Sequence, residues 1–199
     1  MKNRIRLAIF LIAITFFPIP AANARQTPSF YARNAILIEI DSGRVLYEKQ
    51  AHVRIPMAST TKIMTALLVL EKANLDDIAT VSKRAARIGG STMNLELGEQ
   101  ISVLALMYGL MLRSGNDAAI ALAEHIAGSV EEFCELMNQK ARELGAYNTS
   151  FVSPHGLDHH NHYTTAADLA LITKEAMKND LFRKIIATKT ITIDGHTMS

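Results

Sequence analysis

Hydrophobic and polar positions divide the chain into stretches of different period. Tyr31 to Ile40 predicts a strand, because Ile36, Leu37, Ile38 and Ile40 are nearly continuous. Asp41-Ser42-Gly43-Arg44 is turn chemistry, and Val45-Leu46-Tyr47 begins a return strand, so the segment reads as a hairpin. From Ala58 the period changes. Thr60 to Lys72 carries Ile63, Met64, Ala66, Leu67, Leu68, Val69 and Leu70, apolar on most faces of a helix. Such a helix belongs inside a domain. Ser102 is placed to cap a helix through Leu112, with Leu104, Met107, Tyr108 and Met111 on one face. Ala118 to Ala127 predicts another, stopped by Gly128. Ser129 and Glu132 form a capping box for a third, which Gly145 ends. Thr165 and Asp168 repeat that arrangement before Leu169, Ile172 and Ala176. Thr188 to Ile193 alternates again, and Asp194-Gly195 suggests a hairpin turn. Strands, then many helices, then a strand predict an α/β layer arrangement rather than a bundle.

The first residues stand apart from this pattern. Lys2, Arg4 and Arg6 precede an apolar run from Leu7 to Pro18, and Ala22-Asn23-Ala24 supplies a small-x-small cleavage pattern. Residues 1–24 therefore read as a signal peptide cleaved after Ala24, and the chain as exported. The competing reading is a membrane anchor. It requires about 20 apolar residues, and this run is shorter and broken by Pro18 and Pro20. The remainder of the 199 residues is long enough for one sizeable core. Cleavage would remove three basic residues and no acidic one, turning a formal charge of +2 into −1. Lys and Arg are scattered, so nothing marks a nucleic-acid partner. Cys134 is the only cysteine, which excludes an internal disulfide. Beside Phe133, Leu136 and Met137 it reads as a small buried side chain.

Two motifs carry candidate chemistry. In Ser59-Thr60-Thr61-Lys62 the first and fourth positions share a helical face, so the Lys62 amine reaches the Ser59 hydroxyl. Ser59 lies at the helix start, where N–H groups favour negative charge. Lys62 heads a helix too apolar to face solvent, and desolvation disfavours its ammonium form. The bland alternative is a capping serine with a snorkelling lysine. Ser114-Gly115-Asn116 lies between two predicted helices, where a serine and an amide can face a reacting centre from the opposite wall. Alone it is merely a good turn sequence.

Taken in order, the two motifs resemble the penicillin-binding protein and serine β-lactamase superfamily. The resemblance is closest to the low-molecular-mass D-alanyl-D-alanine carboxypeptidases. It is carried by Pro56 to Thr65, by Leu110 to Ala119, by Pro154-His155-Gly156-Leu157-Asp158 and by Thr164 to Ala170. It implies a helical cluster with an antiparallel sheet, and makes residues 25–199 the N-terminal part of the catalytic domain. It further implies Ser59 as the acylated nucleophile, Lys62 as its base, Ser114 as a proton relay and Asn116 as a substrate-binding amide. The Ser59 N–H would be one oxyanion donor. The implied substrate is a peptidoglycan stem peptide ending in D-Ala-D-Ala, with β-lactams as covalent inhibitors. No cofactor, metal or membrane anchor in this chain is implied.

The family's third motif, Lys-Thr-Gly, does not occur, since Lys189-Thr190 is followed by Ile191. The later sheet strands are expected to be missing with it, which predicts an exposed edge, low activity and doubtful stability for the chain as written. A non-catalytic exported remnant is therefore the alternative from another class. A β-lactamase is disfavoured by Gly115 in the middle of the second motif. The stretch His155, His159, His160, His162 lacks a completing ligand set for zinc.

Overall fold

The structure, a computed structural model, describes residues 31–199. The signal-peptide expectation for residues 1–24 lies outside the described residues. The chain begins with the hairpin read from the sequence, β1 (Ala35–Ile38) against β2 (Val45–Lys49), antiparallel with Leu37 opposite Tyr47. The first strand is shorter than the apolar run, because pairing stops at Ala35 opposite Lys49 and a register shift follows Leu37. Glu39 closes the turn by accepting from the N–H groups of Asp41 at 3.0 Å and Ser42 at 2.7 Å.

A single 3-10 turn, Ala58–Thr61, leads into α1 (Lys62–Lys72). Seven of its eleven residues are buried, including Met64, Leu67, Leu68 and Val69. The remaining elements gather round it. They are β3 (Ile78–Thr80), α2 (Lys83–Ala86), β4 (Gln100–Ser102), α3 (Val103–Leu112), α4 (Asn116–Ala127), α5 (Val130–Glu143), α6 (Ala166–Ala176), α7 (Asp180–Ala187), β5 (Ile191–Ile193) and β6 (His196–Met198). α1 packs against α3, α4, α5, α6 and α7, so the all-round apolar helix is indeed the hub. Its Met64 and Leu68 are fully buried, as are Leu106, Met107, Leu110, Ile120, Phe133 and Met137 of the other helices.

Helix ends follow the side chains that cap them. Ser102, Ser129, Thr165 and Asn179 each accept a backbone N–H from the first turn of α3, α5, α6 and α7, and Gly128 takes the left-handed conformation that ends α4. The β5–β6 turn places Asp194 at φ 51° and Gly195 at φ 82°, the doubly left-handed geometry of a two-residue hairpin. The Asp194 carboxylate accepts from Ser102 N–H at 2.9 Å, which ties this hairpin to the start of α3.

Two features depart from the sequence reading. Among the described residues the strands form three separate two-stranded antiparallel sheets, one of them the unforeseen β3–β4 pair. In α3 the buried set is Val103 and Ala105 to Leu110, whereas Leu104 and Met111 are only partly covered. α3 is clasped by α1, α4, α7, β4 and β6 rather than laid on one surface, so no single stripe describes it. No helix of the described residues is long and apolar enough to cross a membrane.

Candidate active site

The 3-10 turn puts Ser59 at the surface and drives Lys62, one turn later, into the interior at 2% exposure. The serine thus precedes α1 instead of capping it, and the Lys62 N–H bonds back to the Ser59 and Thr60 carbonyls. The lysine amine meets three acceptors. Nζ lies 2.8 Å from Asn116 Oδ1, 2.8 Å from the His155 carbonyl and 3.4 Å from Ser59 Oγ. Burial pushes the Lys62 pKa down from 10.5 to about 8, against the opposing charge of Asp117. Once uncharged, the amine has two protons for its two short contacts and a lone pair for the third. The long contact to Ser59 is the one that then runs from hydroxyl to nitrogen.

Asn116 opens α4 and is held at every polar atom that matters. Its N–H donates to the Ser91 carbonyl at 2.8 Å, and Nδ2 donates to the Gly89 carbonyl at 2.8 Å, leaving Oδ1 for Lys62. Gly90, at φ 87°, lets the loop come this close; a Cβ there would stand 2.7 Å from Nδ2. Asp117 anchors the same loop. Its buried carboxylate accepts from Met93 N–H at 2.9 Å, Leu95 N–H at 3.1 Å and Ala118 N–H at 2.9 Å. Ser114 adopts φ 53° in the turn between α3 and α4, and its buried Oγ has no hydrogen-bond partner among the described residues. Ser59, Lys62 and Asn116 are therefore joined by direct contacts, while Ser114 stands beside Asn116 in sequence with an unengaged hydroxyl.

The Lys62 amine thus bridges a serine hydroxyl and an asparagine carbonyl from two elements far apart in sequence. Residues 21–198 match the D-alanyl-D-alanine carboxypeptidase family. The chain belongs to that family. It is 42% identical over 191 residues to the D-alanyl-D-alanine carboxypeptidase DacF of Bacillus subtilis, covering 92% of this chain and 49% of the relative. It is 44% identical over 177 residues to DacC of Escherichia coli, covering 83% and 44%. Among solved structures, the DacD carboxypeptidase of Francisella tularensis superposes with a TM-score of 0.82 at 32% identity, over 93% of this chain and 49% of that one. A single-site mutant of the Streptomyces K15 DD-transpeptidase gives 0.81 at 37% identity, over 87% and 74%. The chain spans about half the length of the curated relatives it matches.

In this D-alanyl-D-alanine carboxypeptidase family member a third segment, Ser153 to Tyr163, completes the wall behind the lysine. Besides the His155 carbonyl on Lys62, the Pro154 carbonyl accepts from Thr65 Oγ1 at 2.7 Å. Gly156, at φ 91°, lies so close to the nucleophile turn that a Cβ would collide with the Ala58 carbonyl. Sequence reasoning found these residues only as part of a resemblance, because a backbone carbonyl acting as an acceptor leaves no mark on residue type. The Gly89 carbonyl was missed for the same reason; Gly90 was missed because its close approach to Asn116 shows only in three dimensions, and Asp117 stood only within the segment that carried the resemblance. The histidines divide. His155 and His162 are buried, and burial first among causes pushes each ring down to about 4. His159 and His160 are exposed and stack with ring centroids 4.3 Å apart. Among the described residues no three His, Cys, Asp or Glu side chains are grouped to hold a metal ion. Cys134 is buried, and desolvation pushes its thiol up to about 12.

Proposed function

We propose that this chain carries a serine acyl-transfer centre acting on peptidoglycan stem peptides that end in D-Ala-D-Ala, with β-lactams as covalent inhibitors. The observation that carries this reading is the Lys62 amine, buried, lowered in pKa and 3.4 Å from Ser59 Oγ, with its other two contacts already made. Neutral Lys62 takes the Ser59 hydroxyl proton as Oγ bonds to the carbonyl carbon of the penultimate D-alanine. The carbonyl electron pair moves to oxygen, where the Ser59 N–H is a donor. When the tetrahedral centre collapses, the C–N bond breaks and the lysine proton passes by way of the Ser114 hydroxyl to the departing D-alanine amine. An unsatisfied buried hydroxyl on a strained backbone is suited to that task, since it has no structural bond to give up. Asn116 holds Lys62 and the substrate amide. Water then hydrolyses the ester and regenerates Ser59.

Gly115 supports a peptidase over a β-lactamase reading. A Cβ there would stand 2.9 Å from Asp117 Oδ1 and 3.2 Å from both Ala118 Cβ and Met93 Cγ, so the aspartate that the second motif carries in β-lactamases would require these side chains to shift. The basic start, apolar run and small-x-small pattern of residues 1–24 support export by way of a signal peptide cleaved after Ala24. Incubation with a fluorescent penicillin, followed by peptide mass spectrometry, tests the reading. An adduct on Ser59 that disappears in Ser59→Ala supports it. An adduct elsewhere, or none on a folded chain, turns the assignment to the non-catalytic remnant.

A further inference from the structure

His162 is absorbed by no step above, yet it is 3% exposed and bonded at both ring nitrogens. Val152 N–H points at Nδ1 from 3.1 Å. A backbone N–H is only a donor, so Nδ1 is unprotonated, and a neutral ring carries its proton on Nε2. That nitrogen lies 2.8 Å from Thr61 Oγ1. The Thr61 hydroxyl, receiving from the ring, donates in turn to the Ala58 carbonyl at 2.8 Å. The sequence of donors is fixed at each link: Val152 N–H, His162, Thr61, Ala58 C=O.

The last acceptor is what gives this chain a purpose. The Ala58 carbonyl and the Ser59 N–H belong to one planar peptide unit, so whatever aims the carbonyl aims the N–H in the opposite direction. Ala58 has φ 45°, a left-handed conformation that is strained for an alanine and persists only where neighbours hold it. Gly156 packs against that same carbonyl, and a Cβ there would also stand 2.7 Å from Thr61 Oγ1.

We propose that His162, as its Nε2–H tautomer, is a positioning residue that holds the Ala58–Ser59 peptide unit through Thr61 and so aims the Ser59 N–H at the reacting carbonyl. The inference rests on the reading of Ser59 as nucleophile for its chemical consequence, but the lock itself is a property of the folded chain. Burial keeps the ring neutral at physiological pH, consistent with the single tautomer required.

Nitrogen-15 NMR of the imidazole at pH 7 reads the tautomer directly. The Nε2–H form is expected, and an Nδ1–H form overturns the proposal. The Ser59 amide signal should shift in Thr61→Val and in His162→Ala, and by no more in the double variant. It should return towards the wild-type position in His162→Gln, whose amide still donates to Thr61. A Ser59 signal that ignores Thr61→Val, or that stays displaced in a folded His162→Gln, overturns it too. Acylation by a fluorescent penicillin should fall about 10–100-fold in Thr61→Val and in His162→Ala, the scale of a misplaced reacting group, and His162→Gln should restore the loss seen in His162→Ala. A wild-type chain that forms no Ser59 adduct defeats the assignment of the nucleophile, while the tautomer and the amide shifts still decide the lock.

Discussion

Lys62 titrates in a range that an exposed lysine does not reach, and the consequence extends beyond catalysis to stability. Burial at 2% exposure lowers its pKa from 10.5 to about 8. At 1.36 kcal/mol per pH unit this difference is worth about 3 kcal/mol against the folded state. Below pH 8 the lysine is charged in both folded and unfolded chains, and the whole cost is present. Between pH 8 and 10.5 the folded chain has released a proton that the unfolded chain still holds, so stability rises with pH across that window. Lys62→Met is uncharged throughout and lacks this rise. Urea unfolding of both proteins from pH 7 to 10.5 should therefore show their difference in stability changing by about 3 kcal/mol in favour of the wild type, other groups cancelling. Direct observation of the Lys62 side chain by NMR should place its midpoint near pH 8, and the acylation rate should climb about tenfold per pH unit up to that point. A midpoint at pH 10 or above, or a pH-independent difference between the two proteins, would refute the claim that burial produces a proton acceptor here.

Three further changes test the frame around that lysine. Gly156→Ala forces a Cβ onto the Ala58 carbonyl at φ 91°, and should cost about 3 kcal/mol, seen as a fall of roughly 6–12 °C in Tm by calorimetry. Asp117→Asn puts an amide where three backbone N–H groups need an acceptor; unfolding in urea should show a loss of about 2–4 kcal/mol, and NMR should show Lys62 titrating lower still, because the Asp117 charge raises it. Cys134 should resist iodoacetamide at pH 8 in the folded chain and react only as it unfolds, since its thiol is pushed up to about 12.

The parts of the fold that were readable in advance are those decided within a few residues. Caps at Ser102, Ser129 and Thr165, the left-handed Gly128, and the Asp194-Gly195 turn all stand where local side-chain chemistry put them. Asn179, which caps α7 with two hydrogen bonds, was equally local and was overlooked, although Leu181, Phe182, Ile185 and Ile186 behind it keep a clear helical spacing. The β3–β4 pair was not readable. Each strand has three residues, and their partnership joins segments some twenty residues apart whose apolar content is unremarkable. The same contrast runs through the candidate site. Ser59 and Lys62 were found together because one helical turn separates them.

What the amino-acid order alone determined is a set of nearest-neighbour relations: which stretches coil, where they stop, and that a serine and a lysine share one face at the mouth of an apolar helix. Folding in three dimensions decided the chemistry of that pair. It brought Asn116 and the His155 carbonyl, 54 and 93 positions away, onto one nitrogen, and set a carboxylate at Asp117 against its desolvation. It also left the Ser114 hydroxyl without a hydrogen-bond partner among the described residues. The reason is physical: hydrogen-bond acceptors on the backbone are the same for all residues, and the cost of burying a charge depends on everything packed around it.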